Sequence, residues 1–176
     1  KNYASATPLF DTVVGKICNL KVENANITIT GSVHAGIIAS YGGADGQPLE
    51  VKNVHVQGKI SNDKSNGTGG LFGIIIEATI DACSANVDLI TSKYDVGGIY
   101  GYDETGAGKK SVVSNCWTSG EYSGNRMVGG IAGMLCNKDG EVSIINCYST
   151  ATVHAKFKYG GIVGDANRGK TGNETS

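Results

Sequence analysis

The chain has 176 residues, with 15 Lys and Arg against 16 Asp and Glu, for a formal net charge of −1. That length suffices for one domain with a real core, and the charge balance argues against a dedicated nucleic-acid or anionic-membrane surface. Gly is 27 of the 176 residues and Pro only 2, and no apolar run approaches the ~20 residues of a membrane span, so direct membrane insertion is not expected.

Residues 1–16 read as a lead-in or cap, with Pro8-Leu9-Phe10 and Val13-Val14 apolar enough to cover one end of a stack. Five similar units follow over residues 17–164. The first runs from Ile17-Cys18-Asn19-Leu20 through Ile27-Thr28-Ile29 to Ala35-Gly36-Ile37-Ile38-Ala39. The second has Asn53-Val54-His55, Lys59-Ile60 and Gly69 to Gly73. The third has Ala82-Cys83-Ser84, Asp88-Leu89 and Gly97 to Gly101. The fourth has Asn115-Cys116-Trp117, Glu121-Tyr122 and Gly129 to Gly133. The fifth has Asn146-Cys147-Tyr148, Thr152-Val153 and Gly160 to Gly164, and a polar tail, or the start of a further coil, occupies 165–176.

The second Gly of each unit stands at 36, 70, 98, 130 and 161, in steps of 34, 28, 32 and 31. The position of Cys147 is held earlier by Leu20, Val54, Cys83 and Cys116, in steps of 34, 29, 33 and 31. Two anchors that drift together define a repeat, and a period in this range means a solenoid or array. The units alternate in short runs and carry no helical pattern. About three strands per unit predict an all-β parallel β-helix of about five coils, right-handed by the crossover rule. A β-propeller competes less well, because a blade needs four strands in ~40 or more residues.

In-register coils turn each aligned position into a column. Leu20, Val54, Cys83, Cys116 and Cys147 should face in, as free buried thiols where they are Cys. Cys18 and Cys136 fall outside that column. Asn19, Asn53, Asn115 and Asn146, interrupted by Ala82, should stack their amides at a bend. Lys21, His55, Ser84, Trp117 and Tyr148 should face out. Of these, His55, Trp117 and Tyr148 are the candidate ligand-binding residues, because paired aromatics stack on a sugar or anchor a partner. The plainer reading is an ordinary cross-strand aromatic pair. Lys59, Asp88, Glu121 and Thr152 form another outward column, in which Lys59 and Asp88 could pair across coils with small energy. Ile38, Phe72, Tyr100 and Val163 are expected as an exposed apolar row beside Ala132, needing cover or a partner.

The strings Gly160-Gly161-Ile162-Val163-Gly164 and Asn146-Cys147-Tyr148-Ser149-Thr150 resemble the GLUG motif. That repeat occurs in bacterial surface and secreted proteins, including Gram-positive immunoglobulin A peptidases and adhesin-like proteins of gut Bacteroidetes. The resemblance covers residues 17–164, is close in units four and five, and is weak in the first, where Ala35 and Ala39 replace glycines. It implies an extracellular β-helical module and transfers no catalytic residue.

Enzyme motifs point elsewhere. The chain has no His-Glu-x-x-His, no Gly-x-Ser-x-Gly and no phosphate-binding Gly-x-x-x-x-Gly-Lys-Ser/Thr string. Neither a metal site nor a cofactor is expected; the histidines His34, His55 and His154 lie at no zinc-like spacing from the cysteines. Asp103-Glu104 and Asp139 with Glu141 are the nearest approach to acidic clusters, both in glycine-rich turns. Asn26-Ile27-Thr28, Asn66-Gly67-Thr68 and Asn173-Glu174-Thr175 match the N-glycosylation pattern, which matters only in a eukaryotic secretory pathway.

The expected function is a non-catalytic module at the cell surface, for adhesion, for contact with a host or matrix protein or a glycan, or as a spacer. It is expected to lie among neighbouring domains of a larger parent chain, since the sequence starts at Lys1 without a signal peptide. The alternatives are a carbohydrate-active β-helix and an accessory region of a secreted peptidase.

Overall fold

The computed structural model describes residues 3–135 and 138–166. These form an all-β solenoid of about five turns. A partial coil carries β1 (Tyr3–Ser5) and β2 (Phe10–Val13), and the first full coil carries β3 (Gly15–Thr28) and β4 (Ala39–Gly42). The second has β5 (Leu49–Ser61), β6 (Thr68–Gly69) and β7 (Phe72–Ile75). The third has β8 (Ala78–Asp81), β9 (Ser84–Ile90), β10 (Tyr94–Gly97) and β11 (Tyr100–Asp103). The fourth has β12 (Lys110–Ser114), β13 (Trp117–Ser119), β14 (Glu121–Gly129) and β15 (Ala132–Met134). The fifth has β16 (Glu141–Ile145), β17 (Tyr148–Ser149), β18 (Thr152–Gly160) and β19 (Val163–Asp165).

The expected lead-in is thus part of the stack: β1 pairs with β3, and β2 with β4. One sheet runs β2-β4-β7-β11-β15-β19, and the remaining 13 strands form the other. The third to fifth coils carry four strands rather than three, because two sharp corners divide the chain.

The first corner is the asparagine position. Asn19, Asn53, Ala82, Asn115 and Asn146 have φ of 55°, 55°, 51°, 52° and 53°. This left-handed conformation is one that Asn tolerates and Ala does not. Asn53 Nδ2 donates to Asn19 Oδ1 at 2.7 Å, and Asn146 Nδ2 to Asn115 Oδ1 at 2.6 Å. Above Asn115 the ladder breaks, and its Nδ2 donates to Asp81 Oδ1 at 2.7 Å instead. This bond and a second, from Ser114 Oγ at 2.9 Å, hold the Asp81 carboxyl below its ordinary value. Replacing Ala82 by Asn should therefore raise stability by about 1 kcal/mol, read as a higher urea midpoint; a lower midpoint would contradict the account.

The residue after each bend points inward. Cys83 and Cys116 are 0% and 1% exposed, and Cys147 is half-buried. All three are free thiols, as is the exposed Cys18; Cys136 lies outside the described residues. Each column thiol donates to the carbonyl two residues back: Cys83 to Asp81 at 3.1 Å, Cys116 to Ser114 at 3.0 Å, Cys147 to Ile145 at 3.2 Å. The carbonyls of Ser114 and Ile145 also accept an inter-coil N–H, from Ala82 and Asn115, both at 3.1 Å, and a thiol is small enough to add a second donor from inside the bend. This is the local reason for Asn-Cys in the last two units.

The second corner is the Gly-Gly position. Here one carbonyl accepts two consecutive N–H groups. Leu71 and Phe72 both donate to Ile99 O, at 3.0 and 3.1 Å, and Ile99 and Tyr100 both donate to Ile131 O, at 2.8 and 3.3 Å. The chain bends between these residues, so both sides of the corner face the core. Two expectations are corrected by this. Ile38, Phe72 and Tyr100 are 0% exposed and Val163 is half-buried, so the anticipated exposed apolar row is core. The first unit is also offset by one residue. Ala39, not Ile38, pairs with Phe72, and Ile37 bonds to Gly70 O at 3.1 Å, standing where later units have their second glycine.

Candidate ligand-binding surface

The outward column after the asparagine corner is in register as expected. Lys21 faces His55, His55 faces Ser84, Ser84 faces Trp117, and Trp117 faces Tyr148. Trp117 and Tyr148 stack with ring centroids 6.4 Å apart and an interplanar angle of 13°. They are 38% and 57% exposed. Parallel coils force this geometry, because identical positions on neighbouring rungs project side by side.

Ser84 sits between the two large neighbours and is only 4% exposed. Its small side chain leaves an open notch of about 250 Å³ walled by Lys21, His55, Gln57, Ser84, Asn86 and Trp117. His55 Nε2 lies 2.9 Å from Asn53 Oδ1, and Nδ1 lies 2.8 Å from Ser84 Oγ. Asn53 spends its amide N–H on Asn19, so its Oδ1 is the acceptor. His55 Nε2 therefore carries the proton, and Ser84 donates to Nδ1. The His55 ring is locked by hydrogen bonds at both nitrogens.

This Ser-His-Asn connectivity is that of a nucleophile, base and orienter. Its setting does not fit the role. Ser84 is covered by its neighbours, and the nearby N–H groups of Trp117 and Tyr148 are donated to the carbonyls of Cys83 and Cys116, both at 3.1 Å. Those groups are unavailable to stabilise an oxyanion. The arrangement instead offers a fixed aromatic face beside amide, imidazole and ammonium groups, suited to a ring with one apolar face and a polar edge. Gln57 and Asn86 were not among the sequence candidates. They are in-register neighbours two residues beyond His55 and Ser84, and extending the alternation by one step would have found them.

The other flagged residues serve the stack. His34 Nδ1 bonds Asn66 O at 2.6 Å, and its ring lies edge-on to Tyr41 and Tyr102 at 5.2 and 5.7 Å. Burial pushes the hydroxyls of both tyrosines up from their ordinary value. Glu104 pairs with Lys138 at 3.1 Å and Glu141 with Lys110 at 3.0 Å, so the expected acidic turns hold cross-coil ion pairs. Lys59 and Asp88 are in register but form no ion pair; Asp88 Oδ1 accepts the N–H of Glu121 at 3.1 Å. Among the described residues, no group of three His, Cys, Asp or Glu side chains is placed to hold a metal ion. No family model, curated protein or solved structure matches the chain.

Proposed function

We propose that this chain is a non-catalytic β-solenoid module of a bacterial surface or secreted protein, of the GLUG-like kind, that binds glycan through the Trp117 column. The observation that carries this reading is the exposed, stacked Trp117–Tyr148 pair beside the polar notch. A pyranose presents an apolar C–H face and a rim of hydroxyls. Trp117 supplies a flat partner for the first, while Gln57 and Asn86 supply donors and acceptors for the second and the locked His55 ring walls the notch. Rigid coils pre-organise these groups, which lowers the entropic cost of binding.

The notch is walled by no Asp or Glu, whereas glycoside chemistry on such a scaffold calls for paired carboxylates. That favours binding over a carbohydrate-active β-helix. A glycan array probed with the whole chain should give hits that Trp117→Ala weakens at least roughly tenfold, with the circular dichroism spectrum unchanged. An array without hits, or hits indifferent to Trp117→Ala, would remove this reading.

A further inference from the structure

The solenoid places opposite charges on adjacent coils with some regularity. Lys16–Glu50, Lys52–Asp81, Lys109–Glu77, Lys110–Glu141, Lys138–Glu104 and His154–Glu121 all join one coil to the next, at 2.8 to 3.7 Å. One corner breaks the pattern. Lys64, Lys93, Arg126 and Lys156 come one from each of the second to fifth coils, and none of them makes an ion pair among the described residues. The only other such described cation, Lys59, lies on the flat of β5.

The four are brought together by the turns between β5 and β6, between β9 and β10, and within β14 and β18. Asn62 N–H bonds Ile90 O at 3.0 Å and Ser92 N–H bonds Asp63 Oδ1 at 2.6 Å, seating the turn that holds Lys64 against the one that holds Lys93. Asn125 N–H bonds Lys93 O at 2.8 Å. Arg126 is in register with Tyr94 and Phe157, the residues directly after Lys93 and Lys156. Four like charges gathered at one corner, with Arg126 one position off the line of Lys93 and Lys156, repel one another and do nothing for the fold.

Three further features mark this corner. Arg126 lies over the Tyr94 ring at 5.6 Å, and its Nε is buried without a hydrogen-bond partner. An open cleft of about 270 Å³ beside it is lined by Thr91, Ser92, Ser123, Gly124, Asn125 and Lys156. Among the described residues the side chains of Ser92, Ser123 and Asn125 have no hydrogen-bond partner, so their hydroxyls and amide are free to donate. Of the nearby carboxylates, Asp63 is exposed and accepts from Ser92 N–H, and Asp95, beside Arg126, is 7% exposed, so the four cations outnumber the negative charge at this corner.

We propose that this corner is a docking strip for a linear sulfated polysaccharide lying along the solenoid axis, one cation per coil meeting its charges. A sulfate offers three acceptor oxygens per charge, which suits a site composed of ammonium, guanidinium, amide and hydroxyl donors. The cleft's hydroxyls and amide serve the sugar. Single-stranded nucleic acid would add base stacking on the exposed Phe157 ring, so competition by a single-stranded oligonucleotide equal to that by soluble heparin, lost in Phe157→Ala, would overturn the polysaccharide reading. The strip uses none of the Trp117 column's side chains, so it stands independently of the function proposed above.

The test is affinity of the whole chain for immobilised heparin. The wild type should bind at physiological salt and be released as salt rises. Lys93→Gln/Lys156→Gln should lose roughly tenfold in affinity, while Lys16→Gln/Lys110→Gln, the same charge change at ion-paired sites, should stay within about twofold. Trp117→Ala should leave heparin binding intact, which separates this strip from the aromatic column. Neither desulfated heparin nor polyglutamate should compete. Failure of the wild type to bind, equal loss in both double variants, or equal competition by either soluble polymer would overturn the proposal.

Discussion

Gly98→Ala should cost about 3 kcal/mol or more, lowering the melting temperature by ~10 °C, while Gly161→Ala should be neutral or slightly stabilising. The two glycines occupy the same position of the repeat. A Cβ on Gly70 would lie 2.1 Å from Gly98 O, one on Gly98 2.2 Å from Gly130 O, and one on Gly130 2.1 Å from Gly161 O. Each glycine is thus pressed against the backbone carbonyl of the glycine on the next coil. Backbone cannot step aside without parting the ladder on both sides. Gly98 is boxed in further, with Thr118 Cγ2 and Tyr122 OH both 2.6 Å from the same point. At Gly161 no described residue comes within 4 Å, and a methyl group there would only restrict the unfolded chain. Urea or thermal unfolding of the two variants side by side measures the difference. Equal tolerance at both positions would mean that the glycine column is not packed as described.

The same column shows what could be read in the chain and what could not. The Asn and Cys columns were legible because two anchors repeat together and the intervening residues alternate. Their period also put His55, Ser84, Trp117 and Tyr148 on one outward line, which is where they stand. The Gly-Gly corner defeated the same reasoning. Alternation assumes a continuous strand, but Ile99 and Tyr100 flank a bend and share one acceptor, so two successive residues face the core. Parity therefore put Phe72, Tyr100 and Val163 on the wrong side. Ile38 failed for a second reason. The first unit lacks the glycine pair, and Gly36 was matched to Gly70 when its structural counterpart is Gly69. The cation strip was illegible because it lies in turns of unequal length, where Lys64, Lys93, Arg126 and Lys156 hold no common sequence position; only the stacking of those turns makes them neighbours.

The central claim is that aligned positions of the repeat are columns of one stack, with each Cys inside and the residue after it outside. Native thiol labelling, followed cysteine by cysteine, tests this most directly. The three column cysteines differ in a way that the repeat alone does not reveal. Cys83 and Cys116 are sealed, and hydrogen bonds with both neighbouring thiols, with burial, push the Cys116 thiol far above its ordinary value. Cys147 is half-buried, and the hydrogen bond from Cys116 brings it down to about 7. A depressed pKa means more thiolate, so its labelling should climb with pH, roughly tenfold per unit below that value, and level off above it. At pH 8 the account predicts that Cys147 and the exposed Cys18 label in the native protein. Cys83 and Cys116 should label at least ~1,000-fold more slowly, only through unfolding, and as fast as the others in denaturant. Comparable native labelling of Cys83 and Cys147, or a disulfide linking any two of the column cysteines, would contradict it.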